Sequence, residues 1–110
     1  MSSRTKAEKA REKYLQRAYG IGLDDYEALL AARGGACWIC QKPPKKRRLH
    51  VDHDHLTGKV RGLLCWLCNT GLEKYHDRPA ILRQAASYLE SHKAQDIIER
   101  SQSNGITRTS

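Results

Sequence analysis

Residues 49–69 read LHVDHDHLTGKVRGLLCWLCN, and their pattern decides the fold. "LHVDH" alternates apolar and polar side chains as a half-buried strand does, "LTGK" supplies a glycine-containing turn, and "VRGLL" is the returning strand. The stretch therefore predicts a β-hairpin. At the end of its first strand, Asp52, His53, Asp54 and His55 put two carboxylates and two imidazoles on consecutive positions. Such a cluster suits a metal-binding knot, a catalytic centre or a polar turn, and the flanking cysteines discriminate among these.

Cys37-Trp-Ile-Cys40 and Cys65-Trp-Leu-Cys68 are two CxxC pairs separated by 24 residues. Each pair lets two thiolates converge on one ion, and both together complete the tetrahedral sulfur shell that Zn²⁺ favours, with no position left for water. The site is thus expected to be structural, with disulfides as the competing use of the same cysteines. His50, His53 and His55 are alternative ligands, but a complete set of four thiolates leaves them free. On this reading zinc clamps the hairpin at both ends, and the Asp-His cluster is positioned by the metal without being consumed by it. Trp38 and Trp66, inside the knuckles, are expected to shield the metal and fill the core.

Composition agrees with a clamp. At 110 residues, with no Phe, 39% apolar and 29% charged residues, the chain reads as one small domain with a thin core in need of a staple. The net charge is +8 and the pI about 9.6, which favours a polyanionic partner such as nucleic acid. Six basic residues lie in the first 20 positions and seven more between Lys42 and Arg61. A merely solubilising surface is the plainer reading of the same charge. The N-terminus has no apolar segment of the signal-peptide kind and no run approaches a membrane span, so a soluble intracellular protein is expected.

Outward from the hairpin, residues 4–18 are good helix formers without a wide apolar stripe, which predicts a solvent-facing helix or an arm that orders on binding. Gly20 and Gly22 break it, and Asp24 is the expected N-cap of a short helix, "DYEALLAAR", that Gly34 and Gly35 end. "QKPPKKRR" must loop out. A helix is expected to start at Asn69 and run to Tyr75. Asp77 and Pro79 then suit the start of a last helix whose Ile81, Leu82, Ala85, Ala86 and Leu89 form one apolar face, more often core than interface. The tail, residues 101–110, is expected to be disordered. The domain reading is a basic arm over 1–20, a zinc-containing domain over 21–92, and a helix end with tail over 93–110.

A zinc-clamped hairpin followed by a helix, with Asp-His closing the first strand and Asn opening the helix, suits phosphodiester hydrolysis. A divalent ion neutralises charge at the scissile phosphate while a general base deprotonates water. Hard oxygens suit Mg²⁺, and Asp52 with the Asn69 side-chain carbonyl supplies them. His53, with an ordinary pKa of about 6.5, suits the base at neutral pH.

These residues closely resemble the recombination endonuclease VII family of phage-type His-Me finger, ββα-metal, HNH-like nucleases. The flanks "YGIGLDDYEALLAARGGACWIC" and "GLEKYHDRPAILRQAASYLE" resemble it too, so that the likeness covers residues 19 to 90. It implies an α+β fold built on a ββα-metal motif with flanking helices. It also implies zinc on Cys37, Cys40, Cys65 and Cys68, a catalytic Mg²⁺ or Mn²⁺ on Asp52 and Asn69, His53 as base and His55 near the scissile phosphate. The implied partner is DNA, the products carry 5′-phosphates, and the setting is the bacterial cytoplasm with a phage or mobile-element origin. Junction-resolving members dimerise through later helices; this chain is short there, and monomer and homodimer both stay open.

On a regular strand Asp52 and His53 point to opposite faces, so they serve one phosphate only where the strand ends or bends. Asp54 is assigned to support of the loop backbone. Lys59 and Arg61 on the hairpin's return, and Lys45, Lys46, Arg47 and Arg48 before it, are the candidate DNA contacts. The rival to a nuclease is a non-catalytic zinc-finger DNA-binding module of the same fold.

Overall fold

Thr5 opens the first helix. Its hydroxyl accepts the Glu8 N–H at 3.1 Å while the Glu8 carboxylate accepts the Thr5 N–H at 2.9 Å, a reciprocal cap that satisfies two otherwise orphaned donors. Helix α1, Lys6–Tyr19, ends at Gly20, whose left-handed φ of 72° suits a residue without Cβ. This computed structural model describes residues 3–103.

Helix α2, Leu23–Ala32, starts earlier than the sequence implied. Asp24 is not its cap. Gly22 takes that place, its N–H held by Asp25 Oδ2 at 2.8 Å, and the Glu12 carboxylate reaches across from α1 to accept the Leu23 N–H. With these donors satisfied by Asp25 and by Glu12 of α1, Asp24 is left in the first turn, where it pairs with Arg4. Nor does α1 project as a free arm: Leu15 is wholly buried, and α1 packs on α2 through it. One buried leucine in α1 is too narrow a stripe for periodicity to reveal.

Strands β1, His50–His53, and β2, Val60–Leu64, pair antiparallel, with His50 opposite Leu64, Val51 opposite Leu63 and Asp52 opposite Gly62. The next pair is His53 with Val60, so Arg61 has no opposite number and the ladder slips between Asp52 and His53. The extra residue of this bulge is Arg61, on β2, while Asp52 and His53 stay consecutive on β1. The connecting loop is held by Asp54, whose Oδ1 accepts the N–H groups of Leu56 and Thr57 at 2.8 and 3.1 Å. Gly58, at φ 77°, closes it.

Helix α3, Trp66–Lys74, begins inside the second knuckle, three positions before Asn69, because the Cys65 carbonyl already accepts the Asn69 N–H at 3.0 Å. It packs against both strands. Leu15, Leu23, Tyr26, Leu49, Val51, Leu63 and Leu64 form the core with Cys37, and the Tyr26 hydroxyl donates to the Leu49 carbonyl at 2.8 Å. Trp38 lies flat on Gly62, where a Cβ would stand 2.7 Å from the ring, and its indole N–H reaches the Leu29 carbonyl at 3.3 Å. Trp66 does not join the core; it is 53% exposed.

These elements form one compact unit, which ends at Lys74, and the residues from Tyr75 onward form a second. The second holds α4, Pro79–Glu90, with Pro79 at its first turn, and α5, Lys93–Ser103. Neither helix has a buried residue and Leu89 is 79% exposed, so the expected apolar face is not core. Residues 101–103 of the tail are helical, and 104–110 lie outside the described residues. Among the described residues no helix is long and apolar enough to cross a membrane.

Candidate metal centre and active site

Cys37 and Cys40 flank the turn after α2, Cys65 directly follows β2, and Cys68 sits on the first turn of α3. Their sulfurs all lie within 4.8 Å of one another, and Cys40 Sγ stands 3.8 Å from Cys65 Sγ. Zn–S bonds of about 2.3 Å place tetrahedral sulfurs about 3.8 Å apart, so the cluster has the size and donor chemistry of a four-thiolate zinc site. All four are free thiols, and a bonded pair would stand at about 2.05 Å. The backbone supports the charge: the Ile39 N–H points to Cys37 Sγ at 3.4 Å and the Cys68 N–H to Cys65 Sγ at 3.5 Å. Burial opposes ionisation of Cys37, but backbone N–H groups around the cluster outweigh it and bring the thiol down to about 6. Burial and the neighbouring thiols push Cys68 up to about 12.

Beside the bulge, Asp52 is 8% exposed and its carboxylate is gripped by Arg61, Nε to Oδ2 at 2.7 Å and Nη2 to Oδ1 at 3.0 Å. The unopposed residue of the bulge thus turns back onto its neighbour strand. His53, half-buried, lies against Tyr19 of α1, ring centres 5.6 Å apart, and against His55 at 4.9 Å. Asn69 sits on the early turns of α3, partly covered. The structure therefore gathers Asp52 with Arg61, and His53 with His55 and Tyr19.

The basic residues divide. Lys45 and Lys59 are exposed on loops, whereas Lys46, Arg47 and Arg48 line a cleft with Arg11, Tyr14 and Tyr19 of α1. Sequence reasoning missed α1 as part of this region. The signal was present in the spacing of Arg11, Leu15 and Tyr19, four apart on one helical face.

With this geometry in view, residues 12–91 match the family model described as recombination endonuclease VII. The chain belongs to that family. Its similarity extends to two curated phage proteins, both called Gene 59 protein. The one from Mycobacterium phage D29 is 44% identical and the one from Mycobacterium phage L5 is 45% identical, each over 82 residues that make up 73% of this chain and 50% of the relative. The chain spans about half the length of these relatives. No solved structure matches it. The endonuclease VII match starts inside α1, so it takes in Tyr14, Leu15 and Tyr19 along with both knuckles, the hairpin and α3.

Proposed function

We propose that the protein is a metal-dependent DNA endonuclease of the His-Me finger kind, hydrolysing phosphodiesters to leave 5′-phosphates. The observation that carries the reading is the bulge at Asp52 and His53 in a hairpin held by four cysteines, within a chain that belongs to the endonuclease VII family.

The donor chemistry fits two metals. Four thiols of tetrahedral spacing suit zinc as the staple of a thin core. A carboxylate as covered as Asp52 demands a positive partner, and it has about four lone-pair sites, of which Arg61 uses two. With the Asn69 carbonyl it offers the hard oxygens that Mg²⁺ or Mn²⁺ takes. Such an ion, when bound, supplies Lewis-acid stabilisation of the phosphate and of the leaving oxygen.

The chain's own residues do the rest. His53 takes the proton of the attacking water, its ring in contact with those of Tyr19 and His55. His55, exposed next to it, faces the scissile phosphate. Arg61 leaves Asp52 and turns to the phosphate, where its fixed charge stabilises the crowded negative charge of the transition state. Lys45, Lys46, Arg47, Arg48 and Lys59 carry the flanking backbone.

The Arg61–Asp52 pair also favours a second reading, a DNA-binding module without catalysis, since a carboxylate already neutralised needs no metal. Zinc-loaded protein incubated with four-way junction, forked, nicked and linear duplex DNA in Mg²⁺ or Mn²⁺ separates the two. Cleavage of any of them, with ends that ligate directly, is the expected result; binding without cleavage in every metal leaves the module.

A further inference from the structure

The loop between β1 and β2 ends in an apolar tip that the fold does not use. Leu56 is 97% exposed, the most accessible of the large apolar side chains among the described residues, and it belongs neither to the core nor to the residues packed against it. A single exposed leucine is common and by itself calls for no function. This one sits on a braced loop. Asp54 Oδ1 accepts the N–H groups of Leu56 and Thr57, the Asp54 carbonyl accepts the Gly58 N–H at 2.7 Å, and Thr57 Oγ1 accepts the Lys59 N–H at 3.2 Å. Each backbone N–H from Leu56 to Lys59 is thereby bound inside the loop, and the Asp54 N–H closes it by donating to the Lys59 carbonyl at 2.8 Å. The tip is ordered before anything binds, so its use costs little further conformational entropy.

The neighbours of Leu56 indicate what it meets. His55 directly precedes it, with a ring 4.9 Å from that of His53, and Lys59, also exposed, stands at the other end of the loop. Adjacent Cα atoms are about 3.8 Å apart, and successive nucleotides of a duplex strand rise by about 3.4 Å. A phosphate faced by His55 therefore brings Leu56 within about one or two base steps. The net charge of +8 selects a polyanion, and in duplex DNA the extended apolar surfaces are the base faces, which only an opened step exposes. Leucine is one of the side chains that proteins insert into such a step, partly unstacking it and kinking the helix.

We infer that Leu56 is a wedge, which enters between two base pairs next to the phosphate at His53 and His55 and kinks the duplex there. A sequence preference follows without any hydrogen bond to a base. TA and CA/TG steps unstack most easily, so the chain binds best, and cuts, beside such a step. The position of the cut rests on the nuclease reading above; the wedge requires only that the chain bind duplex DNA.

The test uses the full, zinc-loaded chain without Mg²⁺ or Mn²⁺, so that nothing is cleaved. Its probe is a short duplex with one central TA step, in which 2-aminopurine replaces the adenine; a control duplex carries AT in place of TA. Binding should raise the 2-aminopurine fluorescence of the TA duplex as the step unstacks. Leu56→Ser should abolish the rise and Leu56→Met should keep it, with melting unchanged in both because the side chain is exposed. Fluorescence anisotropy at one fixed salt concentration should show the TA duplex bound about tenfold tighter than the control by wild type and equally by Leu56→Ser. No rise with wild type, an equal rise with Leu56→Ser, or equal affinity of wild type for the two duplexes would overturn the inference. Leu56-dependent unstacking in a chain that cuts nothing would sink the nuclease reading alone. Cleavage whose position and rate ignore Leu56→Ser would sink the wedge alone.

Discussion

Arg61 holds Asp52 by two hydrogen bonds, at 2.7 and 3.0 Å, from the one position of β2 that has no partner across the hairpin. A bulge and an ion pair thus come from the same residue. If Asp52 is a metal ligand, its guanidinium partner competes with the metal. Arg61→Gln should therefore bind Mn²⁺ more tightly than wild type, by about tenfold, since hydrogen bonds to charged groups contribute about 1.5–3 kcal/mol. Isothermal titration or the electron paramagnetic resonance of free Mn²⁺ measures it, with Asp52→Asn as the variant that should bind least. Unchanged affinity in both would remove Asp52 from the metal site.

Gly62 accepts the face of Trp38, and a Cβ there would stand 2.7 and 2.8 Å from ring carbons. Both are backed by the core, so the ring has to shift. Gly62→Ala should cost about 1–3 kcal/mol, the range of overpacking. In a domain of this size each kcal/mol lowers Tm by about 4–8 °C. A melt that coincides with wild type would show that Trp38 is loosely held.

Asp54 gives a pH dependence of known sign. The backbone N–H groups of Leu56 and then Thr57 hold its carboxyl below the usual value of 3.8. A depressed folded pKa means that the loop's support is complete above pH 3.8 and is lost as pH falls through the lower folded value. Amide exchange at Leu56 and Thr57 should accelerate only in acid, and Asp54→Asn should show no such acid step. An acid step of equal size in the variant would point to another group.

Zinc removal should unfold the first unit, because the thiols are part of a core that lacks Phe. With Cys68 held protonated near neutrality, zinc binding must release protons. Binding heats measured in two buffers of different ionisation enthalpy should therefore differ, and affinity should fall as pH drops through about 6, where Cys37 also protonates. A chelator-treated chain that kept its thermal transition would contradict the clamp.

The hairpin was legible because LHVDH and VRGLL carry strand periodicity and turn residues at once, and the cysteine spacing announced the cluster. Local chemistry also marked Pro79 and Gly20. What escaped was tertiary: Glu12 capping α2 from another helix, Arg61 folding back on Asp52, and Tyr19 reaching His53. None leaves a periodic trace, since each joins residues from different elements. Trp66 was misread for a related reason. A large aromatic inside a knuckle suggests core, but α3 begins there and turns the ring outward, whereas Trp38 faces a glycine.

The role proposed for His53, taking the proton from the attacking water, is tested most directly by the single-turnover rate of DNA cleavage in Mg²⁺ or Mn²⁺, wild type beside His53→Ala, with zinc content and melting shown to be equal. A rate lower by about 10²–10⁴ in the variant is the expected result. Equal rates in the two proteins would contradict it.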